Sequence, residues 1–202
     1  MSRTAEQIAA LRRALDAETR ATSDFDLNPE VALPAGRILR PAGVLLALTE
    51  GAKGLNLVLT KRSSRLKHHP GQIAFPGGKQ DDGDADAIAA ALREAEEEIG
   101  LPRNRVEILG TLPGHETVTS FAMTPVVGLV RGAFDPVPEP GEVEEVFLVP
   151  LDHVTDPDRF SVQFRRWRGT RRHYYTVPFG PYYIWGATAR ILRSLADALE
   201  DQ

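Results

Sequence analysis

The chain predicts an α/β fold, with a mixed β-sheet held between helical layers. Three observations lead there. Apolar segments at 42–48, 55–60, 106–112, 122–130 and 145–149 are bounded by turn-forming residues, as strands are. The stretches 4–18, 86–99 and 185–199 repeat apolar residues at helical spacing. The two kinds do not alternate as regular strand–helix–strand units, so the sheet is expected to be mixed rather than all-parallel.

Taken in order, Ile8, Leu11 and Leu15 form one stripe of the first helix. Residues 21–37 have no period and read as a connecting arm, so 1–36 is expected to pack as a helix and arm on one domain, 37–202. Segments 42–48 and 55–60, split by Glu50-Gly51-Ala52-Lys53-Gly54, read as paired strands. Residues 62–71 form a basic loop, and 72–75 a short strand. That strand ends at Pro76-Gly77-Gly78, where no regular element is expected to continue. The helix at 86–99 places Ile88, Leu92, Ala95 and Ile99 toward the core, with Glu94, Glu97 and Glu98 on roughly the opposite side. Gly100 suits its C-terminal cap and Pro102 blocks continuation. After a Pro- and acid-rich loop at 134–142 come a strand to Val149, a helical turn near Leu151, and a hairpin around Gly169-Thr170. A closing helix carries Ile191, Leu192 and Leu195 inward.

Composition narrows the function. The 202 residues can bury a full core, and the net charge of −4 lacks the basic excess of a nucleic-acid binder. The absence of Cys excludes disulfides, thiolate metal sites and cysteine nucleophiles. No apolar run is long enough to cross a bilayer. The first 20 residues mix acids and bases throughout and do not read as a signal peptide. The expectation is a cytoplasmic protein, monomer or homodimer, with a small-molecule partner.

Chemistry concentrates in 77–101. Glu94, Glu97 and Glu98 sit at i, i+3 and i+4 of one helix, behind the Gly77-Gly78 turn. Crowded carboxylates repel unless a cation neutralises them, and hard oxygen donors suit Mg²⁺ or Mn²⁺. The Gly78 carbonyl is a further oxygen donor, Gly77 lets a substrate approach the backbone, and Arg93 is placed to orient a carboxylate or meet a phosphate. Against this stands a plain solvated acidic face, which the glycine turn makes less attractive. Lys61, Arg62, Arg65, Lys67, His68 and His69 gather positive charge just before the turn, suited to phosphates or simply to solvent. Imidazole fits an oxygen-rich Mg²⁺ shell poorly, so His68 and His69 are not expected as ligands. No Walker loop or dinucleotide glycine fingerprint is present.

Arg93-Glu94-Ala95-Glu96-Glu97-Glu98-Ile99-Gly100-Leu101 resembles the second half of the Nudix hydrolase box. The first half runs from Gly78 to a spaced acid at Asp84, with a gap to Arg93 one residue longer than the common pattern, which places Ala85 at the strict position. The segment from Leu59-Thr60-Lys61-Arg62-Ser63 to Phe75-Pro76-Gly77-Gly78 resembles the extra motif of the coenzyme A pyrophosphatase branch, with Lys67 where that motif has Arg. The resemblance implies a Nudix α/β/α sandwich and metal-dependent hydrolysis of coenzyme A or its thioesters to 3′,5′-ADP and 4′-phosphopantetheine or its acyl derivative. It implies Gly78, Glu94, Glu97 and Glu98 as metal-holding groups. With such a substrate, the charge of Lys61, Arg62, Arg65 and Lys67 and the open backbone of Gly77 are expected to lie against its phosphates. A loop carboxylate joins the chemistry in some branches; Glu142 is favoured here over Glu139, Glu144 and Glu145, beside Glu94 on the helix.

ADP-ribose, NADH or another nucleoside diphosphate derivative is the alternative substrate class. A non-catalytic nucleotide-sensing module is the alternative of another kind. His115 to Ser120 is expected to be an ordinary polar turn and Trp185 to be core. Tyr174, Tyr175, Tyr182 and Tyr183 are open between packing and adenine stacking.

Overall fold

The computed structural model describes residues 2–17, 20–31, 33, 36–167 and 169–201. Helix α1 (Arg3–Asp16) starts at Ser2, whose hydroxyl accepts from the Ala5 N–H. Positions 18 and 19 lie outside the described residues. Strand β1 (Thr22–Ser23) lies in the connecting arm and pairs in parallel with β7 (His115–Glu116). The centre is built by β2 (Arg40–Gly51), β3 (Gly54–Arg62), β8 (Phe121–Val130) and β9 (Val143–Pro150). β2 runs parallel to β8 and antiparallel to β3, and β3 is antiparallel to β9, so the sheet is mixed. β4 (Ile73–Ala74) extends the β3 side, and β6 (Val106–Thr111) pairs with β8.

Alternation along β2 divides the core. Val44, Leu46 and Leu48 face α1 and the C-terminal helix α4 (Ala187–Glu200), with Leu11, Ile191, Leu192 and Leu195. Leu45 and Ala47 face α2 (Ala87–Ile99), with Ala91, Ala95, Ile99 and Val58. Because β2 is buried on both faces, its apolar residues run continuously. The result is an α/β/α sandwich, as the sequence predicts, and α4 turns its expected residues inward.

Two features create the site. β2 and β3 pair only from Leu48 onward, through Leu48↔Leu57 to Gly51↔Gly54. Where they part, β5 (Gly77–Lys79) pairs with β2 instead, at Val44↔Gly77, Gly43↔Gly78 and Ala42↔Lys79. The glycines expected to end regular structure therefore form a short strand, because Gly77 holds φ 147° and so fits a backbone that side chains avoid. A Cβ at Gly77 would lie 2.5 Å from the Gly43 carbonyl oxygen. Beyond β9 come α3 (Leu151–Val154) and a separate antiparallel hairpin, β10 (Ser161–Trp167) and β11 (Thr170–Thr176). No helix among the described residues is long and apolar enough to cross a membrane.

Candidate active site

The site lies where α2 crosses β5. Asp86 caps α2 by accepting the Ala89 N–H at 2.8 Å, a contact worth about 1 kcal/mol. The helix ends on Gly100 at φ 68°, whose N–H reaches the Ala95 and Glu96 carbonyls. Its buried side includes Ala91, Ala95, Glu98 and Ile99, so Glu98 does not lie opposite the core as the periodicity suggested. It is 4% exposed and accepts the Gly77 N–H at 3.1 Å. Glu94 lies one turn earlier, against β5, where a Cβ on Gly78 would lie within 2.5–2.8 Å of its carboxyl group. Glu97 points outward, with a side chain 57% exposed, and is held by Arg93 Nη1 at 2.9 Å. The apolar spacing located the helix face correctly but not its edge, since Glu98 flanks Ala95 and Ile99 where the glycine strand covers it.

Arg93 is the hub of this corner. Its Nε and Nη2 meet Asp84 at 3.0 and 2.9 Å, its Nη1 meets Glu94 at 3.1 Å, and its Nη2 donates to the Lys79 carbonyl at 3.1 Å. The Asp84 hydrogen bond holds the guanidinium well above its ordinary range, and the same contact lowers the Asp84 carboxyl. Arg93 thus ties the 80–86 loop, β5 and α2 together. Arg93→Lys is expected to destabilise the protein by about 1–3 kcal/mol, because an ammonium cannot keep the two-point Asp84 contact; a urea midpoint equal to wild type would refute this.

Burial pushes the Glu98 carboxyl up to about 7, against the pull of the Gly77 N–H and Arg62; Glu94 and Glu142 add to the rise. Burial also raises Glu94, with Arg93 opposing and Glu97 and Glu142 adding. Two carboxylates resisting ionisation, with Glu142 facing both, form an all-oxygen set with excess negative charge. That composition fits a hard divalent cation. In the arrangement shown, no three His, Cys, Asp or Glu side chains among the described residues form a ready-made ion-holding group.

These shifts predict a pH dependence for the metal-free protein. Between about 4.5 and about 7 the folded chain keeps a proton on Glu98 that the unfolded chain has lost. Raising pH through that window therefore favours unfolding, by roughly 3 kcal/mol for a shift of this size. Urea midpoints at pH 5 and 8 in EDTA should show the decline, and Glu98→Gln should flatten it; an equal slope in the variant would reject the assignment.

The loop residues divide. The Arg62 Nε is buried and makes no hydrogen bond, while its charge acts on Glu98. Lys61 is bound to Glu144 across the strand pair at 2.6 Å. Arg65 and Lys67 are exposed, as are His68 and His69. Partial desolvation of its ring and the neighbouring Arg62 lower the His69 imidazole below its usual range, although the residue as a whole is exposed. The Glu142 side chain is exposed, and its backbone carbonyl accepts the Ser63 N–H at 2.8 Å, joining the acidic loop to the basic one. Glu139 is fixed by its backbone N–H to the Glu98 carbonyl, and Glu145 accepts the Tyr182 hydroxyl. His115 is buried and bonds Thr22 and Asp24, a structural clamp between the arm and β7.

The NUDIX domain family pattern matches residues 39–170. The chain belongs to the Nudix hydrolase family. Among its curated relatives are the uncharacterized Nudix hydrolase NudL of Enterobacter sp. (strain 638), 42% identical, and that of Escherichia coli (strain K12), 41% identical. Each alignment spans 157 residues, covering 78% of this chain and 81% of the relative. The MutT protein from Methanosarcina mazei Go1 aligns with TM-score 0.52 at 17% identity, over 83% of this chain and 98% of that one, which shows a shared fold. Nudix hydrolases cleave phosphorus-containing anhydrides, generally with divalent metal ions.

One residue of this Nudix hydrolase site, Gly43, escaped the sequence reading, and Asp84 was read without its partner. Gly43 lets α2 settle on β2: a Cβ there would sit 1.9 Å from the Ala87 carbonyl oxygen and 2.9 Å from the Ala91 nitrogen. No local signal marks it, because its neighbour lies more than 40 residues away in sequence. Asp84 was found by spacing but without a partner; four other acidic residues, Asp81, Asp82, Asp86 and Glu94, stand near it, and only folding selects the one that meets Arg93 at two nitrogens.

Proposed function

We propose that this Nudix hydrolase cleaves the diphosphate bond of coenzyme A or its thioesters, giving 3′,5′-ADP and 4′-phosphopantetheine or its acyl form. The observation that carries the reading is the Arg62 guanidinium, with a free buried Nε, beside Glu98 and at the end of the segment that resembles the coenzyme A branch motif. A guanidinium whose Nε has no protein partner, next to buried carboxylates, suits a substrate phosphate.

Glu98 and Glu94, with the Gly78 carbonyl, are the groups we assign to Mg²⁺ or Mn²⁺. Glu97 supplies further negative charge at the edge while bound to Arg93. When bound, the ion supplies charge neutralisation for the diphosphate and makes water a better nucleophile. Arg62 orients the diphosphate from the opposite side, with Arg65 and Lys67 adding attraction from the exposed loop and Gly77 leaving the backbone open to it. Water oxygen bonds to one phosphorus, the bridging P–O bond breaks, and the leaving phosphate takes the electron pair. Glu142, whose charge acts on both Glu94 and Glu98, is the group we assign as general base for the water proton. Lys61, neutralised by Glu144, acts by holding the strand ends. The same reading places the protein in the cytoplasm as a monomer or homodimer with no nucleic-acid or membrane partner.

Mass analysis of products from coenzyme A, ADP-ribose and NADH, with Mg²⁺ or Mn²⁺, tests the substrate. Preferential release of 3′,5′-ADP from coenzyme A is expected, whereas faster turnover of ADP-ribose or NADH overturns the coenzyme A reading. Glu142→Gln is expected to lower kcat by about 10²–10⁴ with little change in KM; an unchanged kcat removes Glu142 from the reaction.

A further inference from the structure

We propose that the exposed face of the β10–β11 hairpin, with Arg165, Tyr174, Tyr183 and Trp185, binds the base and phosphomonoester of an adenine nucleotide. Its assignment to the substrate's nucleotide end rests on the coenzyme A reading above.

The segment 161–186 contains five arginines, all four tyrosines and both tryptophans of the chain, and no Asp or Glu, in a protein of net charge −4. Antiparallel register sets Gln163 opposite Tyr174 and Arg165 opposite Arg172, which places these four residues on one face. The Arg165 guanidinium lies 4.6 Å from the Trp185 ring centroid, and Tyr174 meets Trp185 edge-on at 5.1 Å. The Tyr174 and Tyr183 hydroxyls are 3.3 Å apart, and Tyr183 is 46% exposed. Trp185, expected in the core, is only partly buried.

Charge makes the face a binding surface rather than a structural one. Ten other arginines form ion pairs among the described residues, but Arg165, on this face, forms none. A guanidinium lying on an aromatic face keeps its N–H edges for a phosphate, and neighbouring rings offer a base a stacking surface.

The face also borders the candidate active site. A Cβ on Gly186 would lie 3.9 Å from the Gln72 amide nitrogen, and the Thr188 hydroxyl donates to the Ile73 carbonyl at 3.0 Å. Gln72 and Ile73 lead into Gly77 through β4, so Trp185 stands beside the strand that feeds the glycine turn. The Arg62 N–H donates to the Gln72 carbonyl at 3.0 Å, so Arg62 adjoins the same stretch of chain. A nucleic acid fits less well, since the chain has a net charge of −4 and lacks the basic excess of a nucleic-acid binder.

The test uses Trp167→Phe protein, in which Trp185 is the single tryptophan. Titration with 3′,5′-ADP in EDTA should quench the fluorescence, and 4′-phosphopantetheine should not. Adding Arg165→Ala should weaken 3′,5′-ADP binding at least tenfold, and should raise KM for coenzyme A more than for its 3′-dephosphorylated form, with kcat little changed. Equal affinity with and without Arg165, or tighter binding of a short RNA than of 3′,5′-ADP, overturns the proposal. Arg165-dependent quenching in a protein that does not hydrolyse coenzyme A upholds the nucleotide site and rejects the substrate reading instead.

Discussion

Glu98→Gln is expected to lower kcat by at least about 10²-fold, the scale of losing one fixed electrostatic group in a water-poor site. The fold should survive. Glutamine keeps the shape and can still accept the Gly77 N–H, and it removes a carboxyl group that burial already pushes up to about 7. At pH 8 the metal-free variant should therefore melt at or above the wild-type temperature. The rise in melting temperature that Mg²⁺ or Mn²⁺ gives the wild type should shrink, because a neutral amide replaces an anionic ligand. Loss of activity with stability kept separates a site role from a packing role. The exposed Glu97→Gln should cost less than Glu98→Gln, since it removes the contact to Arg93 and a charge at the solvent edge of the site rather than a buried one. Near-wild-type turnover in Glu98→Gln, or a larger loss in Glu97→Gln, would dismantle the proposed metal set.

The second large effect is expected from a residue that touches neither substrate nor metal. Gly43→Ala adds a methyl group 1.9 Å from the backbone oxygen of Ala87, and neither β2 nor α2 can yield by rotating a side chain. The helix must move off the sheet. A destabilisation of about 3 kcal/mol is expected, at the upper end for overpacking. Activity should fall as well, because Glu94 and Glu98 move with α2 while Gly77 and Gly78 stay paired to β2. A urea midpoint within error of wild type, with full kcat, would show that the close approach is not rigid.

Much of the site was legible because its chemistry is local. Glu94, Glu97 and Glu98 lie within one helix, and Gly77-Gly78 shortly before it, so spacing alone suggested a cation site. Which glutamate faces inward was not legible. The apolar pattern of α2 is carried largely by alanines, and an Ala-lined stripe does not mark its own edge, so Glu98 was read as outward although β5 covers it. Lys61 and Arg62 are adjacent cations in sequence, yet Glu144 neutralises one and the other keeps a free Nε, because successive residues of β3 send their side chains to opposite faces of the sheet. Trp185 read as core on composition, and only the hairpin laid across it left its face open to Arg165.

Sequence by itself determined the α/β class, the three long helices, the position of the acidic helix and its link to the Nudix family. Each rests on periodicity or on a motif within a few turns of chain. Tertiary structure alone decided that β5 enters the gap between β2 and β3, that Gly43 brings α2 onto the sheet, and that Glu98 is buried against the Gly77 N–H. These depend on contacts between segments tens of residues apart, whose distance is set by how the sheet is ordered and carries no trace in local residue spacing.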